Sequence, residues 1–180
     1  VFGALISPTD PVSVMAVMKR AAMPDTLQAT VAGESLFNDG IGVVVFTILI
    51  AIATGTEAFT WGFAISHFMQ EALGGAALGL TVGWIGYLAM KSIDEYVIEV
   101  MISLAVVMGG YSLAMGLHVS GPVAMAVAGL IIGNAGMANA MSEVTRDHVV
   151  KFWTLIDEVL NAVLFLLIGL EVIALDFRPA

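Results

Sequence analysis

The chain has 180 residues, of which 59% are hydrophobic and only 12% charged, and its mean hydropathy is +0.99. Soluble domains run about 45–50% apolar and about 25% charged, so a surplus of this size points to lipid as the solvent for much of the surface. A net charge of −9 with six scattered Lys and Arg excludes a nucleic-acid partner, and the lack of cysteine excludes disulfides and thiolate metal sites.

Six apolar segments follow in chain order. The first, Val1 to Met18, is interrupted by Ser7-Pro8-Thr9-Asp10-Pro11. The second runs from about Leu27 to Thr54, with polar residues in its first half. The third is uncharged from Ala72 to Met90, and its helix can begin as early as Trp61. The fourth covers Val100 to Leu117, the fifth Val119 to about Ala135, and the sixth about Phe152 to Ala174. A spanning helix needs about 20 mostly apolar residues, and the unbroken runs do not alternate as barrel strands would. The predicted fold is therefore all-α and polytopic, with about six transmembrane helices. The chain starts inside an apolar run without Met, and residues 1–180 read as part of one transmembrane domain truncated at both ends.

Basic residues set the orientation. Lys19 and Arg20, Lys91, and Arg146 with Lys151 fall in alternate connections, whereas Gly55 to Thr60 and the turn at His118 have none. The positive-inside rule puts the basic connections in the cytoplasm, and only Arg178 departs from the pattern. In the third segment, Gly75, Gly79 and Gly83 line one helix face; ordinary helix packing is preferred there over a dimer motif.

Pro8 and Pro11 remove helical hydrogen bonds and clash with carbonyls four residues back, so the first segment is predicted to break at Thr9-Asp10. Two readings stay open on this feature alone: a simple kink, or the broken helix that transporters use to hold ions. In the second segment, Glu34, Asn38, Ser35 and Asp39 fall at about 0°, 40°, 100° and 140° on a helical wheel, one polar face of a helix otherwise apolar. Counted from Thr26, Asp39 lies about 20 Å deep, and Asp10 lies about 12 Å from the same surface. An ionised acid at the centre of a span costs at least about 2.5–3.5 kcal/mol, so it is paired, protonated or hydrated. A carboxylate so placed holds either a proton or a hard cation, and the two compete. The alternative for Asp39 is a structural ion pair, but nothing basic in the chain lies at matching depth.

Other polar groups read as ordinary. His67, His118 and His148 are expected to be solvated or interfacial, as are Asp157, Glu158 and Glu171. Glu99 is read as an acid of the inner interface. Asn161 is either a support for the broken helix or an interhelical contact.

Ser7-Pro8-Thr9-Asp10-Pro11-Val12 followed by Gly33-Glu34-Ser35-Leu36-Phe37-Asn38-Asp39-Gly40 resembles the monovalent cation:proton antiporter-1 family, which includes bacterial sodium/proton antiporters and animal sodium/hydrogen exchangers. Ser120-Gly121-Pro122, and Phe152-Trp153 leading to Asn161 through Gly169, are similar to later family segments. The resemblance implies a larger inverted-repeat fold with two crossing broken helices, in a cell membrane (the bacterial inner membrane) and as a homodimer when full length. It implies sodium or lithium exchange for protons, regulating intracellular pH and sodium, with no enzyme chemistry and no cofactor. By that analogy Asp39, Glu34, Ser35 and the Thr9 backbone form the sodium and proton site, and Asp10 and Asn38 support it. The Asn38-Asp39 pair matches electroneutral members. A basic partner of Glu34 would lie on a helix beyond Ala180. Potassium/proton exchange is the main alternative, with a cation channel or membrane sensor on the same scaffold behind it.

Overall fold

The computed structural model describes residues 2–8, 12–55 and 60–174, and among these residues it is entirely helical and irregular, without strands. The helices are α1 (Phe2–Ile6), α2 (Val12–Arg20), α3 (Asp25–Ala53), α4 (Trp61–Lys91), α5 (Tyr96–Leu117), α6 (Gly121–Ile131), α7 (Met137–Asn139) and α8 (Glu143–Ala174), with a π-helical turn at Ile132–Gly136. Among the described residues, four stretches are long and apolar enough to cross a membrane: Asp25–Ala53, Trp61–Lys91, Tyr96–Leu117 and Gly121–Asn139. Their lipid-facing sides are lined by exposed Leu, Ile, Val and Met, which in water would be untenable.

The first segment divides as its prolines demand. Helix α1 stops at Ile6, Ser7 and Pro8 are non-helical, and α2 begins at Val12. Thr9, Asp10 and Pro11 lie outside the described residues.

Helix α4 is the spine. It packs on α6, α5 and α3, and its tightest contact is with α6. Small residues make that approach possible. A Cβ on Gly75 would sit 2.6 Å from the Ser120 carbonyl oxygen, one on Gly83 would sit 2.8 Å from Ala128 Cα, and one on Gly79 would overlap the Ala124 carbonyl. The glycine row thus meets the Ser120, Ala124, Ala128 row of α6 within the same chain, the packing role expected for it. Lipid supplies no hydrophobic drive between helices, so this backbone-to-backbone van der Waals contact is the stabilising term.

The turn into α6 is fixed locally. His118 adopts the left-handed conformation (φ 54°) and ends α5, with the Val119 N–H donating to the Ala114 carbonyl at 3.0 Å. Ser120 then caps α6: its Oγ accepts from the Val123 N–H at 3.4 Å, while its own N–H donates to the Glu71 carbonyl of α4 at 3.2 Å.

Two expectations are revised. The sixth helix begins at Glu143, about two and a half turns before its apolar run, because the Ser142 Oγ accepts from the Thr145 N–H at 3.4 Å and starts the helix early. Glu99 keeps its place at the inner end of α5 but is not a solvated acid. It is fully buried, at 0% exposure, and neither carboxyl oxygen has a hydrogen-bond partner. Its place in the first turn of α5 offers a favourable helix-end field of about 0.3–1 kcal/mol to a negative charge. That is far less than the several kcal/mol that burying an unpaired charge costs.

Candidate ion site

Helix α3 carries the polar face. Asp39 is its middle residue, fourteen positions from Asp25 and fourteen from Ala53. A helix of this length rises about 43 Å, so the carboxyl group sits about 21 Å from either end, at the depth of the bilayer centre. No Pro interrupts the helix, so its interior backbone groups bond within it, and the residues from Ile41 to Ile52 are apolar apart from Thr47.

The side of α3 that packs inward is the polar one. Ser35 is buried, Asn38 and Asp39 are half-buried, and Gly40, Gly42 and Val44 are buried, whereas Leu36 and Phe37 point outward. Ser35 and Asp39 are both engaged with neighbours. Glu34 is exposed at the edge of the same face.

Gly42 locates the break. A Cβ on Gly42 would stand 2.9 Å from Pro8 Cγ and 3.2 Å from Pro8 Cδ. Pro8 is the last described residue before Thr9-Asp10, so the end of α1 rests on α3 three residues beyond Asp39. On a helical wheel Ser35, Asn38 and Asp39 all fall within about 60° of Gly42. Both halves of the broken segment pack on α3. A serine hydroxyl, a carboxamide and a carboxylate therefore line the face on which an interrupted backbone ends, and all are hard oxygen donors. Gly42 was not singled out in the sequence, although a second glycine two residues after Gly40 is a signal of close approach. Thr9 and Asp10 lie outside the described residues. Asn161 is half-buried on α8, which docks along α5.

A cavity of about 540 Å³ lies at the opposite end of α3 from Asp25. Its walls include Thr47, two turns beyond Asp39, together with His67, Glu71, Tyr111 and His118. His67 and Glu71 face each other at 3.6 Å, one turn apart on α4. Polar side chains of α3, α4 and the α5–α6 turn thus line a cavity on the Ala53 side of Asp39.

Residues 1–178 match the family model described as sodium/hydrogen exchanger, transmembrane. The chain belongs to that family. It is a multi-pass membrane protein. Its relatives include the Na(+)/H(+) antiporter NhaP of Pseudomonas aeruginosa, 54% identical over 176 residues that make up 98% of this chain and 42% of that protein. The Na(+)/H(+) antiporter NhaH of Halobacillus dabanensis is 35% identical over 178 residues, 97% of this chain and 44% of that protein. The low-affinity Na(+)/H(+) antiporter NhaS1 of Synechocystis is 37% identical over 166 residues, 92% and 32% respectively. The chain spans less than half the length of each of these relatives.

Proposed function

We infer that the full-length protein exchanges sodium, or lithium, for protons across the bacterial cell membrane by alternating access, and so sets internal pH and sodium. The observation that carries this reading is Asp39, the middle residue of a membrane-length helix, on the face where Pro8 brings an interrupted helix against Gly42. The names of the relatives favour sodium over potassium.

In this mechanism the Asp39 carboxylate binds sodium with the Ser35 hydroxyl, Glu34 and the Thr9 backbone, and releases it when a proton takes the same oxygen. Competition for one group couples the two fluxes. Asp10 and Asn38 hold the crossing together. Asn38 brings no second titrating group to the face, so one sodium replaces one proton and no net charge moves. The exchange needs neither covalent chemistry nor a cofactor, and the full-length protein works as a homodimer.

The test is Asp39→Asn in the full-length protein, reconstituted in liposomes. The substitution keeps shape and removes the titrating charge. Sodium-driven change of internal pH should be lost, with membrane insertion and folded yield unchanged. Exchange at the normal rate would remove Asp39 from the mechanism.

A further inference from the structure

Glu99 lies away from the α3 face, at the start of α5, between two cross-links to α8. On one side the Thr145 Oγ1 donates to Asp94 Oδ1 at 3.4 Å; on the other the Trp153 indole N–H donates to Ser103 Oγ at 3.0 Å. Asp94 is five residues before Glu99 and Ser103 is one turn after it. Thr145 and Trp153 are two turns apart on α8, so the helices run parallel here and Val149 occupies the level of Glu99. Val149 is itself 1% exposed and apolar.

Among the described residues, the surroundings offer Glu99 no countercharge. On α4, Tyr87 is buried and uncharged, and the exposed Lys91 holds its ammonium 5.9 Å from the Tyr87 ring centre. Helix α6 and the π-helical turn carry no titratable residue. On α8, Thr145, Val149 and Trp153 face α5, while Glu143, Arg146, Asp147, His148 and Lys151 are exposed. Lys151 pairs with Asp147 at 2.6 Å and His148 stacks on Tyr96 at 4.4 Å. Glu95 is exposed, and Asp94, also exposed, bears a like charge. At 0% exposure Glu99 is also out of reach of any group outside these helices unless they part. A proton is the one ligand that neutralises the carboxyl without space or further oxygen donors.

We propose that Glu99 is a proton-binding site separate from Asp39, whose single proton decides whether the inner ends of α5 and α8 stay docked. With the proton in place the carboxylic acid sits between Asp94–Thr145 and Ser103–Trp153 as a neutral group. Its loss puts a bare charge in a dry seam, and water reaches that charge only if α5 and α8 separate. The inner face of the membrane thereby acquires a pH-sensitive joint. It does not depend on the exchange reading, because the joint responds with no ion gradient present.

The test uses the full-length protein in liposomes at equal sodium on both sides. Infrared difference spectra at neutral pH should contain a protonated-carboxyl carbonyl band that Glu99→Gln removes and Asp39→Asn retains. Spin labels at Val97 and Val150, both exposed, should move apart as pH rises in the otherwise unaltered protein. In Glu99→Gln their separation should not respond to pH. If Glu99→Gln does not fold, Glu99→Met fills similar volume without a titrating head and carries the same expectation. A label distance indifferent to pH in the unaltered protein overturns the proposal, as does a response that survives either substitution, or a carbonyl band that neither removes.

Discussion

Glycine permits close approach in two regions of this chain, with opposite consequences. On α4, Gly75, Gly79 and Gly83 admit the continuous helix α6, whose backbone and uncharged side chains meet them there. On α3, Gly42 admits Pro8, the end of an interrupted helix, three residues from a carboxylate in mid-membrane. The first contact joins two helices whose backbone is already satisfied, so it does nothing but hold. The second brings the end of an interrupted helix beside an acid, and the proposed ion site rests on that arrangement. The same residue type serves scaffold or site according to what it lets in.

The scaffold should fail in folding and the site in transport. The largest effect is expected from Gly79→Leu. Its Cβ would overlap the Ala124 carbonyl, which is backbone and cannot yield, so the cost is at the top of the roughly 1–3 kcal/mol range for overpacking or beyond. Folded protein recovered from membranes, measured by size-exclusion in detergent, should fall to a small fraction. A Gly79→Leu protein that folds fully yet does not transport would break the comparison.

Gly42→Ala should do the reverse. One methyl group pushes the rigid Pro8 ring away from α3 and shifts the ion site by a fraction of an ångström to an ångström. Misplacement on that scale lowers rates by roughly ten- to a hundredfold. Sodium-dependent proton flux in liposomes should drop by that factor while folded yield is largely kept. Equal losses of both would make Gly42 another scaffold glycine.

Asn38→Asp sharpens the site side. It places a second carboxylate one residue from Asp39 on the same face, giving two proton-holding groups where one sodium binds. Exchange should become responsive to an imposed membrane potential, read as internal pH change after valinomycin and potassium with no sodium gradient. A variant as indifferent to voltage as the parent would detach Asn38 from the stoichiometry.

The smallest effect belongs to Ser120→Ala. It removes the cap that accepts from Val123 N–H at the top of the α4–α6 seam, worth about 1 kcal/mol. The Ser120 N–H to Glu71 bond is backbone and persists. Thermal stability should fall slightly and flux per folded molecule should not change.

Hydropathy and periodicity alone determined that the chain is helical and membrane-spanning, most helix limits to within a few residues, and the face of α3 that bears Asp39. These follow from local physics: lipid demands a bonded backbone and apolar side chains, and 3.6 residues per turn sorts the exceptions onto one face. Only the tertiary structure decided what each face meets. The glycine row gave no sign that its partner is α6, nor Gly42 that its neighbour is Pro8, because spacing along one helix carries no information about the next. Glu99 makes the same point by misleading. Its position near a helix start suggests a wet acid, yet it is fully buried where α5 packs among α4, α6 and α8. Burial is a property of the whole packing, and depth counted along a single segment cannot supply it.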